Sequence, residues 1–94
     1  MLLCSNPLFP LGQTVATPNA LDLLAKHHTS CFSLLARHQS GDWGNVPDED
    51  ALSNQDAIER GYRIMSVYPL ETAKVWIITE ADRSVTTVLL PEEY

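Results

Sequence analysis

The segment Lys74-Val-Trp-Ile-Ile-Thr-Glu-Ala-Asp-Arg-Ser-Val-Thr-Thr-Val-Leu-Leu-Pro-Glu-Glu-Tyr94 decides how the chain is read. Two runs of β-branched and aromatic residues, Lys74–Glu80 and Val85–Leu90, flank the polar turn Ala81-Asp-Arg-Ser84. That pattern predicts a β-hairpin. A lone two-stranded hairpin is marginal in water, so the remaining chain must supply further strands or a covering helix.

Upstream, Tyr62–Tyr68 alternates in the same way and predicts a third strand, joined to the hairpin through Pro69–Ala73. Before it come three helical stretches. Thr17-Pro18 is a hydroxyl N-cap followed by proline at the first helical position. The helix it opens carries Ala20, Leu21, Leu24 and Ala25 on one side and ends near His28. Cys31, Leu34, Leu35 and His38 share one face of a second helix that Ser40-Gly41 stops. A third, capped at Asn45, holds Asp48, Glu49 and Asp50 in its first turns, where acids complement the helix dipole. Gly61 ends it. Asn6–Ala16 contains Pro7, Pro10 and Gly12 and reads as an extended arm, with Gln13–Ala16 as a candidate edge strand.

The expected architecture is one α+β domain over residues 1–94, with an extended arm (1–16), a helical part (17–60) and a sheet (61–94). The N-terminal helices pack on a three-stranded antiparallel β-meander. The simplest registers pair Tyr68 with Lys74 and Glu80 with Val85. One face then collects Met65, Val67, Val75, Ile77, Val88 and Leu90, grading into Arg63, Thr79 and Thr86, and faces the helices. The other collects Tyr62, Ile64, Ser66, Trp76, Ile78, Glu80, Val85, Thr87 and Leu89. This second face is too apolar to stand in water without a reason. Either the arm (Leu8, Phe9, Leu11, Val15) covers it, or another protein chain does. A slip of one residue exchanges the assignments.

Composition narrows the function. Six basic residues among twelve acidic ones give a net charge of −6. Nucleic-acid binding draws its affinity from basic side chains on phosphates, so no direct nucleic-acid contact is expected. The start of the chain has no signal-peptide pattern, and no apolar run reaches membrane-spanning length. A cytoplasmic protein with two thiols, Cys4 and Cys31, is expected, with no membrane and no cofactor. His27, His28, Cys31, His38 and Cys4 lack zinc-ligand spacing, so no metal is expected. His38, Ser40 and Asp42 lie too close along the chain for a catalytic triad, and no catalytic residue is assigned. Trp43, between two glycines, reads as a packing anchor or a partner contact. The turn around Glu80, Asp82 and Arg83 is the most polar group near the hairpin.

Leu8-Phe-Pro-Leu-Gly-Gln-Thr-Val-Ala-Thr-Pro18, Arg37-His-Gln-Ser-Gly-Asp-Trp-Gly44 and Trp76–Tyr94 together resemble a group of short bacterial proteins called plasmid-related proteins, some of them labelled type I restriction subunits. The resemblance spans nearly the whole chain and implies a bacterial protein carried on plasmids, phages or other mobile DNA. It brings no activity, so no catalytic residue is carried over. A restriction methyltransferase would need a cofactor domain that 94 residues cannot hold.

The expected function is a small, acidic, non-enzymatic interaction module of mobile-element origin, with inhibition of a host defence system as its candidate role. It would act on a protein partner or a second copy through Trp43, Asp42, Trp76, Ile78, Glu80, Asp82, Arg83 and Leu89. The alternative is a compact toxin-like ribonuclease using His38, Glu80 and Arg83.

Overall fold

The computed structural model describes residues 6–94. Strand β1 (Gln13–Ala16) leads into helices α1 (Pro18–Lys26), α2 (Cys31–Ser40) and α3 (Asp48–Arg60). Strands β2 (Ile64–Leu70), β3 (Ala73–Thr79) and β4 (Val85–Leu89) follow, and a 3-10 turn at Pro91–Glu93 closes the chain. The fold is α+β. The sheet, however, has four strands in the order β1-β4-β3-β2, and β1 runs parallel to β4, so it is mixed rather than a three-stranded meander. The antiparallel part, β2-β3-β4, is as expected.

The added strand has a local cause. Gly12 has a φ of +66°, and a Cβ there would lie 2.3 Å from the Arg83 carbonyl oxygen. Only glycine lets the arm pass this close to the β3–β4 turn and enter the sheet. The partner of β1 lies at the far end of the chain. Parallel pairing requires a crossover, which no local pattern announces.

The two hairpin registers fared differently. Thr79 pairs with Thr86, the alignment expected from Glu80 and Val85. Tyr68 pairs with Val75 and not with Lys74, because a tight turn at Glu71 and Thr72 joins Leu70 directly to Ala73. That one-residue slip turns β2 over. Ile64, Ser66 and Tyr68 therefore join Val75, Ile77, Thr79, Thr86 and Val88 on the helix-side face, all of them buried. Met65 and Val67 move to the other face.

The core lies between that first face and the helices. Ala20 and Leu24 come from α1, Leu34 and Leu35 from α2, and Ala57 from α3. The arm was one candidate cover for the second face, yet Phe9 and Leu11 belong to the helix-side core. Phe9 meets the His38 ring edge-on at 5.2 Å and stacks on Trp43 at 6.2 Å. Helix α1 opens at Thr17, whose hydroxyl caps the Ala20 amide at 3.1 Å. Pro47, not Asn45, occupies the N-cap position of α3.

Helix α3 runs beside β2 and closes its outer edge. Backbone groups at Met65 and Val67 point away from β3. The Asn54 amide donates to the Met65 carbonyl at 2.8 Å and accepts from the Met65 amide at 3.2 Å. Val67 donates to the Trp43 carbonyl at 3.0 Å and accepts from Asn45 at 2.7 Å. The next outward position is Pro69, which has no N–H to offer.

Candidate interaction site

The histidine on α2 sits where solvent does not reach. His38, on the last turn of α2, is fully buried between Ser66, Thr79 and Thr86 of three adjacent strands. The Thr86 hydroxyl donates to the Leu11 carbonyl at 2.7 Å. It must therefore accept from Thr79, whose hydroxyl lies 2.7 Å away. Thr79 has then spent its proton and accepts from His38 Nε2–H at 2.9 Å. With the Nε2 proton placed, neutral Nδ1 is an acceptor, and the Ser66 hydroxyl donates to it at 2.5 Å. Burial holds His38 in this neutral form by pushing its pKa down to about 3. Among the described residues no buried side-chain polar atom lacks a partner. The chain of bonds is closed, and a fully buried imidazole does not touch a substrate. The ribonuclease reading placed His38 with Glu80 and Arg83; the structure puts the first inside the core and the other two at the β3–β4 turn.

Arg83 is equally committed. Its Nη1 donates to the carbonyls of Tyr62 at 2.7 Å, Glu80 at 3.1 Å and Ala81 at 3.2 Å. Its Nη2 reaches the Ala57 carbonyl at 2.8 Å, in the last turn of α3, where the helix dipole favours a cation. Arg83 therefore fastens the turn to α3. It does not pair with Asp82 or Glu80, as a surface ion pair would. Asp82 accepts from the Ser84 hydroxyl at 2.6 Å and the Ser84 amide at 3.0 Å. Those bonds hold its carboxyl below the usual carboxylate range.

The Trp43 loop is a clamp. The Asp42 carboxylate takes Arg37 Nε at 2.7 Å and Nη2 at 3.3 Å, and the Arg37 guanidinium lies 4.6 Å from the centre of the Tyr68 ring. Hydrogen bonding to Arg37 holds the Asp42 carboxyl below its usual range, and the same bond raises Arg37. Gly44 sits so close to β2 that a Cβ would fall 2.0 Å from the Val67 carbonyl oxygen. Trp43 itself is buried in the helix-side core, which makes it a packing anchor.

The second sheet face is different. Register lines up Met65, Ile78, Thr87 and Val15 in one row across the four strands, and Val67, Trp76 and Leu89 in the next. Arg63 and Glu80 stand at one end, Lys74 at the other. The last residues of the chain fold back over these rows. Tyr94 meets Trp76 edge-on at 5.6 Å, its hydroxyl accepts from Arg63, and the Arg63 guanidinium lies 5.4 Å from the ring centre. Glu93 anchors this return by accepting from Thr17 Oγ1 at 2.7 Å and from the Leu90 amide at 2.9 Å. Both bonds, the backbone one foremost, keep its carboxyl below the usual range. Ile78 and Leu89 are buried. Met65, Val67, Trp76 and Thr87 stay half-buried, and Val15 is 40% exposed. No family model, curated protein or solved structure matches the chain.

Of the residues expected at a contact surface, the sheet gathers Trp76, Ile78, Leu89 and Glu80 on one face. Asp42 and Trp43 lie on another part of the molecule, and Arg83 is spent on carbonyls. Sequence reasoning missed Met65, Val67 and Tyr94. The first two follow from the tight turn after Leu70. Tyr94 carries no periodic signal of its own.

A shallow cavity of about 300 Å³ opens beside this face between Val46, Asp50, Ser53 and Asn54 on one side and Arg63 and Met65 on the other. His27 lies 3.6 Å from Glu71, in the turn between β2 and β3. Among the described residues no three His, Cys, Asp or Glu side chains converge on a point. Cys4 lies outside the described residues. No helix among those residues is long and apolar enough to cross a membrane.

Proposed function

We propose that this chain is a small, acidic, non-enzymatic interaction module of mobile-element origin, which binds a protein of a host defence system and blocks it. The observation that supports this reading most directly is Trp76. A half-buried tryptophan centred in an apolar row, screened by one returning tyrosine, is the arrangement that carries binding energy at protein interfaces. The net charge of −6 favours a basic partner surface. His38, the imidazole of the ribonuclease reading, is enclosed in the core away from Glu80 and Arg83, which supports binding over catalysis.

The test is to express the tagged chain and a Trp76→Ser variant in a bacterial host carrying the defence system. The wild-type chain should co-purify with one defence component at fixed stoichiometry and lower the protection that the system gives against incoming DNA. Trp76→Ser should lose both while keeping its circular dichroism and melting transition. Equal activity of a folded Trp76→Ser variant would remove the sheet face from the reading. RNA cleavage by the purified chain, abolished in Arg83→Ala, would replace it with an enzyme.

A further inference from the structure

The two edges of the sheet are treated in opposite ways. On β2 every outward position is occupied: Met65 by the Asn54 amide, Val67 by Trp43 and Asn45, and the third by Pro69. On β1 the pattern of bonds to β4 leaves Thr14 and Ala16 facing outward, because Gln13 donates to the Ser84 carbonyl and Thr17 to the Val88 carbonyl. Among the described residues no hydrogen-bonding group pairs with the Thr14 or Ala16 backbone on that side. Gln13, Thr14 and Val15 are all exposed, and β1 contains none of the charges, prolines or bulges that usually blunt an edge.

Charge identifies what fits there. At the Gln13 end, Ser84 carries the Asp82 carboxylate next to the strand. At the other end Thr17 holds the Glu93 carboxylate. The residues that carry these two carboxylates meet the strand at Gln13 and Thr17, about four residues apart along it, or roughly 13 Å, so an anion lies near each end of β1. A second copy paired antiparallel through β1 would bring Asp82 of one chain to Glu93 of the other, a like-charge meeting at both ends. A strand with a basic residue at each end meets neither penalty.

We infer that the outer edge of β1 takes an extended peptide segment from a partner as a fifth strand, held by the Thr14 and Ala16 backbone and selected by Lys or Arg at both its ends. Main-chain bonds supply the affinity in this mode, and the flanking charges supply the choice. Side chains of the added strand would continue the row Met65, Ile78, Thr87 and Val15, so the edge and the apolar face form one surface. This inference rests on the interaction-module reading and names the partner chemistry for it.

The test uses two capped hexapeptides, Lys-Val-Thr-Val-Thr-Lys and Glu-Val-Thr-Val-Thr-Glu, each added at millimolar concentration to the isotopically labelled full chain. The lysine peptide should shift the Thr14 and Ala16 amide signals and slow their hydrogen exchange several-fold. The glutamate peptide should do neither. The double variant Asp82→Asn with Glu93→Gln keeps acceptor oxygens for Ser84 and Thr17, and should bind the lysine peptide several-fold more weakly. Thr14→Pro removes an outward donor without touching a bond to β4, and should abolish the effect while the rest of the spectrum stays dispersed.

Shifts confined to Trp76, Ile78 and Thr87 would overturn the edge site and leave the face reading standing. Protection of Thr14 and Ala16 that grows with protein concentration, without peptide, would make a second copy the occupant and overturn the inference. Protection in the monomer alone would mean the edge is already taken, and absence of any shift would mean it binds nothing of this kind; either result overturns it.

Discussion

His38 shows how much one residue can organise. Its ring bonds β2 and β3 directly and β4 through Thr79, and the direction of every proton in the chain follows from one carbonyl, that of Leu11. Unfolding releases the imidazole to take up a proton near pH 6.5, whereas the folded chain resists protonation until about pH 3. Stability is therefore fully present above pH 6.5 and drains away as the pH falls towards 3, by on the order of 5 kcal/mol across the window. Urea titrations from pH 7.5 to 4.5 should show this decline. His38→Leu should lower stability by roughly 2–4 kcal/mol at pH 7.5, because Ser66 and Thr79 lose their partner, and should flatten the pH dependence. A His38→Leu profile as steep as the wild type would assign the slope to other groups.

Among the elements, β2 depends on its neighbours for more than packing. Asn54 does for Met65 what another strand would do, with one donor and one acceptor. Asn54→Ala should cost about 1–3 kcal/mol by leaving two backbone groups without partners. It should also promote self-association, visible by light scattering, since it re-opens an edge. A variant that stays monomeric at high concentration would show that the Trp43–Asn45 clamp and Pro69 protect β2 by themselves.

The same scale shows what could be read beforehand. Thr17-Pro18 and Gly61 mark helix ends through local chemistry, and both boundaries hold. The β3–β4 alignment was legible because its turn is polar and its strands alternate cleanly. The β2–β3 alignment was not, because Pro69–Ala73 looks like a loop while Pro69, Leu70 and Ala73 are strand residues. The pairing of β1 with β4 and the hydroxyl chain around His38 depend on that global register. Neither leaves a mark in any short stretch. Trp76, Ile78 and Leu89 were placed correctly on one face, since all three lie on β3 and β4, whose mutual register was read correctly.

For the molecule as a whole, the apolar second face is managed by its own last residues. Tyr94 remains 66% exposed while screening Trp76, so its contact is made by one edge of the ring. Tyr94→Ala should lower stability by only about 0.5–1.5 kcal/mol. It should nevertheless shift the tryptophan emission to the red and raise the binding of a hydrophobic dye, because Trp43 stays buried and Trp76 alone is uncovered. An unchanged emission spectrum would mean that other groups shield the indole.

The parallel pairing of β1 with β4 carries a kinetic consequence. Thr86 and the Leu11 carbonyl that receives its bond are 75 residues apart, so docking the arm closes almost the largest loop the chain can make. Local hairpins form before such loops close, and the early folding species is then a three-stranded ribbon whose β4 flank stands bare. During that interval a chaperone, a stray strand or a neighbouring nascent chain competes for the place that the arm will occupy. Stopped-flow refolding of Gly12→Ala should be slower with secondary structure already gained, whereas an unaltered rate would put arm docking after the barrier.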